Sequence, residues 1–518
     1  MATLLEVGAG MAGWLRACQD RDGRVLDPIH SEHGEYADGC AALAFGLMAL
    51  ETGDTAWREA VGRAVQSALR RPAESEFDSF ALLLLAREAR KDGRGAALCT
   101  LLPRPEAIRP YAGNRLVSHN WVAMRAVSHS LRAHFTADAV DQSAAERLWE
   151  RVLAWQTPEG WFVDSPGGRA VPITYHAKFC AMLALAIEEE IHDTPDLRGA
   201  LLRGLHVLAP FISPGGVLVP YGRSRHTLFG YAAALTALRS GARILTEPAL
   251  ERPAARLLDC VAHWVQADGH VPCVLRPGEQ DRRDWDVYVN NPDYNGYAAA
   301  LLLLEHRRAP QTSPFPAPPK SDLAPVPSAG PLTTFHSGGV YAALSLAGES
   351  VPLGAPFFCD HRYYGMQPLW IERNGESRFE PALYRWRAGA DRRLLVDPVE
   401  NHWIPYVLHN GAHYAVRHYE RIETQHRQHE LCWVAIGTPE AYDPVPRVQR
   451  VVHALLARVQ EHPGPIFRVR PLRGVRLRRT LSWNTHTQRL SAHTEVVGTL
   501  PRNARLLQAE QQWPLGPA

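Results

Sequence analysis

The sequence predicts a multidomain α+β protein. An N-terminal (α/α)6 toroid spans 1–308, a Pro-rich linker 309–331 and a C-terminal antiparallel β-sandwich 332–518. Three observations predict it. Six Ala-rich apolar segments recur in the first 310 residues: Ala41–Leu50, Phe80–Ala86, Trp121–Val127, Phe179–Ile187, Leu228–Leu238 and Tyr297–Leu304. A more charged helical segment precedes each of them. Beyond the linker the pattern changes to short alternating runs rich in β-branched and aromatic residues.

The helices follow in pairs. Leu4–Cys18 leads to Asp38–Glu51, Thr55–Arg70 to Glu76–Arg90, and a short piece at Ala96–Leu102 to His119–Phe135. Ala144–Trp155 leads to Tyr175–Ile191, Leu197–Pro210 to His226–Arg243, and Glu251–Val265 to Asn295–His306. The second member of each pair is apolar almost all round, so it must be buried, and the first faces solvent on one side. Six such pairs give an inner and an outer ring. Asp-Gly and Glu-Gly turns at Asp22-Gly23, Glu159-Gly160 and Asp268-Gly269 end helices and start short returns.

Residues 309–331 hold Pro too densely for helix or central strand. After them, strands are expected at Gly339–Leu346, Leu369–Arg373, Arg393–Val396, His413–His418, Leu431–Ile436, Phe467–Arg470, Gly474–Leu481 and Arg489–Val497. Asn374-Gly375 and Asn410-Gly411 read as hairpin turns. Val451–Val459 is the one helix-like piece in this half.

Composition excludes several classes. Lys+Arg number 56 against 54 Asp+Glu, which gives no case for nucleic acid or an anionic membrane as partner. Lys is scarce and Arg dominates, which suits bidentate contact with carboxylates and is equally the product of coding bias. The eight Cys are scattered without a CxxC pair and read as small core residues of a reducing compartment. No secretory signal or membrane span is visible in the sequence, so a cytoplasmic protein is expected.

Each apolar segment is entered through a polar or aromatic cluster. In a ring of helix pairs these entries share one end, so they form parts of one site. The third to sixth entries supply Asn120, Tyr175, His176, Arg225 and Tyr231 as candidate catalytic groups, with His119, Trp121, Tyr221, Arg223, Asn295 and Tyr297 as candidate substrate contacts. Amide, imidazole, phenol and guanidinium groups without a dominant carboxylate pair suit β-elimination on a uronic acid. The amide and cations stabilise the charge that develops on the sugar carboxylate. A Tyr or His takes the proton, and a Tyr protonates the departing oxygen. No metal or cofactor is needed. Each group also has a structural reading: Asn120 as a helix cap, Tyr231 as core, the arginines as partners of structural carboxylates.

A helical toroid followed by a β-sandwich, with His119-Asn120, then Tyr175-His176 and then Tyr231, resembles polysaccharide lyases of the heparinase II/III, alginate and chondroitin/hyaluronate lyase types. The run Asp360-His361-Arg362-Tyr363-Tyr364, continuing to Asn374-Gly375, is similar to the element by which that family's β-domain lends a His to the cleft. The resemblance implies His361 as a further catalytic residue, Tyr364 beside it as a substrate contact, and an acidic oligo- or polysaccharide as substrate. The chain departs from the family's usual Asn-Asn-His form, because Ser118 precedes His119.

A glycoside hydrolase on the same toroid, of the unsaturated-uronyl type, is the alternative. It would draw its acid from Asp38, Asp78 or Asp293, or from Asp284 and Asp286. A terpene-cyclase-like toroid lacks its acidic cluster, since Asp284-Trp285-Asp286 is not one. A carbohydrate-binding protein without turnover is the non-enzymatic alternative.

Overall fold

The structure, a computed structural model, describes residues 2–70, 76–111, 118–164, 171–278, 290–308, 326–329, 331–349, 363–379, 403–444 and 467–514. The expected strand Arg393–Val396 and the helix-like Val451–Val459 lie outside these residues.

Twelve α-helices occur among the described residues, alternating outer and inner along the chain as the pattern requires. They are α1 (Leu4–Ala17) with α2 (Ala37–Thr52), α3 (Thr55–Arg70) with α4 (Glu76–Lys91), and α5 (Ala96–Cys99) with α6 (His119–Thr136). Next come α7 (Ala139–Ala154) with α8 (Ile173–Glu188), α9 (Pro195–Leu208) with α10 (Leu228–Ile244), and α11 (Glu251–His263) with α12 (Asn291–Arg308). The even-numbered helices touch in sequence order, α2 to α4, α6, α8, α10 and α12, and α12 returns to α2. They are the near-uniformly buried members; α8 is buried from Ile173 to Ile187. The odd-numbered helices are amphipathic and cover the ring from outside.

The glycine turns lock the outer helices together. Gly23 takes a φ of 88°, and a side chain there would strike the carbonyl of Arg63 on α3. Gln19 Nε2 bonds the Ala60 carbonyl at 3.1 Å, and Gln156 Nε2 repeats the contact with Ala200 of α9 at 2.7 Å. Gly269 packs against Gly10 of α1, so the same device closes the outer layer from α11 back to α1.

The two ends of the ring differ. At the C-terminal ends of the inner helices, Arg87, Lys91 and Arg308 converge on the buried Glu189, and Arg243 bridges Glu188 and Glu305. Losing one member of such a buried network costs about 3–5 kcal/mol, because its partners stay buried. At the N-terminal ends aromatic rings meet instead, and the candidate site is there.

The second half begins with β-structure earlier than the linker reading placed it, at β3 (Val326–Ala329); the first half holds one short two-stranded hairpin among its described residues, β1 (Leu26–Asp27) and β2 (Glu32–His33). Then come β4 (Leu332–Ser337), β5 (Val340–Ser345), β6 (Gln367–Arg373), β7 (Glu376–Phe379), β8 (Tyr406–His409) and β9 (Ala412–Ala415). They are followed by β10 (Arg421–Arg427), β11 (Glu430–Gly437), β12 (Glu440–Pro444) and β13 (Phe467–Pro471). The last four are β14 (Val475–Asn484), β15 (Arg489–Gly498), β16 (Arg505–Leu507) and β17 (Glu510–Pro514). They form three five-stranded antiparallel sheets, ordered β3-β4-β5-β6-β7, β13-β12-β9-β8-β16 and β10-β11-β14-β15-β17. Both Asn-Gly turns are present, with left-handed φ at Asn374, Gly375, Asn410 and Gly411.

The first sheet joins the two halves. Tyr341, Ala343, Leu369 and Trp370 belong to the helical core, whereas Val340, Ala342 and Leu344 face a separate core among the sheets. With both faces covered, β5 is buried along its whole length. Polar contacts pin the junction. Glu372 Oε1 accepts from the Gly215 amide at 2.6 Å, and the Tyr341 hydroxyl donates to the Pro210 carbonyl at 2.8 Å.

Candidate active site

The first turns of the inner helices meet in an aromatic floor. Tyr36 caps α2 and stacks on Phe77 of α4 at 3.9 Å between centroids and 8° between planes. Phe77 meets Tyr297 of α12 edge-on at 5.6 Å. Phe229 of α10 contacts Tyr297 at 4.9 Å, Tyr294 at 6.1 Å and Tyr175 of α8 at 5.9 Å. Five of the six inner helices therefore contribute rings to one layer. Edge and stacked pairs of this kind add about 0.5–1.5 kcal/mol each beyond burial.

One cation stands on this floor. Lys178, the sixth residue of α8, is fully buried, with Nζ 4.4 Å from the Phe77 ring centroid and 5.2 Å from that of Phe229. Its Nζ donates to Asn120 Oδ1 at 2.9 Å. Burial is the main cause that pulls the Lys178 ammonium down to about 7; Asp164 and Glu76 oppose the shift and Arg223 adds to it. The chain has only three lysines, Lys91, Lys178 and Lys320, and this one sits at the centre of the ring.

Asn120 is held for that contact. Its Nδ2 donates to Asp164 Oδ1 at 2.8 Å and to Ser118 Oγ, and its backbone amide donates to the same Asp164 oxygen at 2.9 Å. Asp164 follows the turn after α7 and is completely buried. It also accepts from Ser118 Oγ, and from Arg223 Nη2 at 2.8 Å. Three hydrogen bonds and an ion pair offset its desolvation.

Arg223 precedes α10 and lies with its guanidinium carbon 4.0 Å from the Tyr175 ring centroid. The Tyr175 hydroxyl shares a 2.8 Å hydrogen bond with Ser224 Oγ. Tyr175 and Lys178 are three residues apart on α8, so they lie on one face of the helix, and both contact Phe229. The loop carrying Arg223 is contorted: Gly222, Ser224 and His226 all take positive φ, at 80°, 58° and 54°. The second half of the chain steadies it, because the Arg223 amide donates to the Tyr363 hydroxyl at 2.9 Å. Glu349 accepts from the Tyr221 hydroxyl at 3.0 Å and from the Val171 amide at 3.1 Å. Arg225 is buried in the same loop.

The structure brings together Asn120, Tyr175, Arg223 and Tyr297 of the expected set, with Arg225 buried in the adjoining loop, and adds Lys178, Asp164, Ser118, Ser224 and Phe229. It places others elsewhere. His176 is correctly on α8, but its Nδ1 accepts from the Phe162 amide at 3.1 Å and its Nε2 bonds the Gly204 carbonyl at 2.9 Å. Both nitrogens are thereby committed to backbone, and burial holds the imidazole down to about 4. This arrangement takes His176 out of the proton-abstracting role. Tyr231 is fully buried beside Cys260 of α11, in the outer layer, which takes it out of the acid role.

His119 stacks on Trp155 at 3.7 Å and bonds the Val163 carbonyl at 2.9 Å, a packing role between α6 and α7. Asn295 straps Val271 to α12 through both halves of its amide, at 2.9 and 2.7 Å. Trp121 is half-buried on α6. Tyr221 is tied to Glu349, and Tyr364 packs with Ile404, Tyr406 and Ala415. His361, Asp284 and Asp286 lie outside the described residues.

The rim aspartates divide in the same way. Asp38 accepts from the Val25 amide at 2.8 Å, Ser67 Oγ at 2.7 Å and His33 at 2.9 Å. Asp293 accepts from the backbone amides of Tyr36 and Glu35 at 2.9 and 3.1 Å, and burial pushes its carboxyl up to about 7. Asp78 is half-buried in the first turn of α4, against Gly39. Among the described residues no three His, Cys, Asp or Glu side chains gather as metal ligands, and no helix is long and apolar enough to cross a membrane.

No family model matches the chain, and no curated protein matches it. Solved structures similar to it include a possible member of the GH105 family from Salmonella enterica, with 13% identity, 59% of this chain and 93% of that one covered, and a TM-score of 0.45. Another is an unsaturated glucuronyl hydrolase from Bacillus sp. GL1, with 15% identity, 58% and 96% covered, and a TM-score of 0.43. A polysaccharide lyase is similar at 12% identity, with 59% and 98% covered and a TM-score of 0.40.

Proposed function

We propose that the protein is a carbohydrate-active enzyme that cleaves a uronate-containing oligo- or polysaccharide by β-elimination, at the aromatic end of an (α/α)6 toroid. The observation that carries this reading is Lys178. It is a buried amine brought down to about 7, one helical turn from Tyr175, with the Arg223 guanidinium beside them. The aromatic floor offers faces against which a sugar ring stacks.

In this scheme the neutral Lys178 amine takes the proton next to the sugar carboxylate and becomes an ammonium. The electron pair left on carbon forms the new double bond as the glycosidic C–O bond breaks. Tyr175 gives its hydroxyl proton to the departing oxygen, and the Arg223 guanidinium over its ring stabilises the negative charge that forms there. Arg225 neutralises the sugar carboxylate. Transfer of a proton from Lys178 back to Tyr175 resets the site. Asn120, fixed by Asp164, aims the amine. Lys178 has no exposed surface, so substrate contact requires side chains above it to give way.

Hydrolysis of an unsaturated uronide is the second reading, favoured by the half-buried Asp78 on the same rim. Ultraviolet absorbance separates the two, because elimination creates a conjugated double bond and hydrolysis of an unsaturated uronide does not.

A further inference from the structure

Glu76 is a buried carboxylate that the elimination scheme leaves unused. It opens α4, one position before Phe77, and none of its surface reaches solvent. Oε1 is clamped by Arg125 of α6, through Nε at 2.8 Å and through Nη2. Oε2 has no side-chain donor among the described residues, and the Tyr111 backbone lies beside the carboxylate. A buried carboxylate held by a single side chain is costly, so its retention calls for an explanation. Lys178 stands over the ring of the adjacent Phe77 and is tied to the same α6 through Asn120.

We propose that Glu76 is a positioning residue for Lys178, whose carboxylate sets the fraction of Lys178 present as free amine. The proposal rests on the reading of Lys178 as the base. An ionised Glu76 favours the ammonium, and a neutral one releases the amine. The other charged and titratable groups around the pair include Asp164, Arg223 and Cys40 at Lys178, and Arg125 and Tyr111 at Glu76. Burial pushes Glu76 up to about 7 while Arg125 and Lys178 pull it down. Its charge therefore changes in the same range in which Lys178 loses its proton.

The test is an NMR pH titration of the full-length protein carrying isotope-labelled lysine, read at the side-chain signals of its three lysines. Lys91 and Lys320 serve as internal references. The expected result is a titration midpoint for Lys178 near neutral pH, about one unit lower in Glu76→Gln, and restored towards wild type in Glu76→Asp. Coincident midpoints in wild type and Glu76→Gln, or a Lys178 midpoint at the ordinary lysine value in every variant, would overturn it. The titration needs no turnover. A shifted midpoint in a protein that leaves uronate saccharides intact would therefore reject the elimination reading and keep the link between Glu76 and Lys178.

Discussion

Asn120 Oδ1 accepts a 2.9 Å hydrogen bond from Lys178 Nζ, across the contact between α6 and α8. Asp164 holds the amide from the other side, so the lysine is aimed by a residue that is itself fixed. On the proposed reading Asn120 acts through Lys178, as a positioning residue in place of the expected substrate contact.

Replacing Lys178 with Met keeps the length of the side chain and removes the amine. Turnover is expected to fall roughly a hundred- to ten-thousand-fold. Folding stability is expected to hold or rise, since a buried charge gives way to an apolar group of similar volume. Rates and urea unfolding of the same preparation check this. Equal loss of stability and activity would assign the residue to the scaffold.

The pH dependence of that stability has a definite sign. Lys178 is lowered to about 7 in the folded chain, whereas the unfolded chain keeps its proton up to about 10.4. Between these values the unfolded state binds more protons, so the penalty for burying Lys178 is full below the folded value and fades as pH rises. The stability gained by Lys178→Met is therefore expected to be larger at about pH 6 than at about pH 10. Unfolding midpoints of both proteins at the two values measure it.

Tyr175→Phe and Tyr231→Phe remove the same atom from different helix faces. The first is expected to lower kcat roughly a hundred-fold or more with little change in KM, through loss of the proton donor. The second is expected to leave kcat within about two-fold, because its hydroxyl meets Cys260 on the outer layer. His176→Phe belongs with the second class in activity. It is expected to cost about 1–3 kcal/mol of stability, since it strands the Phe162 amide and the Gly204 carbonyl.

Tyr363→Phe probes the junction between the halves. It removes the acceptor for the Arg223 amide without touching the aromatic floor. A loss of roughly ten-fold in kcat/KM is expected, carried by the loop that aims Arg223 over Tyr175. Unchanged kinetics would make the contact structural only.

Much of this architecture was legible because the inner helices are apolar enough to demand burial. Thr55–Arg70 matches its expected bounds, and His119 does begin α6. Starts were less certain where Pro intervenes. Pro172 caps α8 and Pro292 lies in the first turn of α12, so Ile173 and Asn291 begin helices that were expected to start at Tyr175 and Asn295. The polar strand Arg421–Arg427 has no apolar alternation and was not expected. Helix phase was the larger gap. Tyr175 and His176 differ by about 100° around α8, so one meets the axis while the other meets α9. Phe229 and Tyr231 part in the same way on α10. A helix apolar all round gives no periodic signal to choose between them. Lys178 was hidden among apolar neighbours, yet a scarce lysine retained inside such a helix was the signal that could have found it.

The central claim is elimination driven by Lys178, and the absorbance of unsaturated product from a panel of uronate polymers and oligomers tests it most directly. A rise in ultraviolet absorbance is expected with at least one uronate substrate. That rise should increase with pH through neutrality, vanish in Lys178→Met and persist in Asp78→Asn. New reducing ends without that absorbance, lost in Asp78→Asn and retained in Lys178→Met, would contradict it.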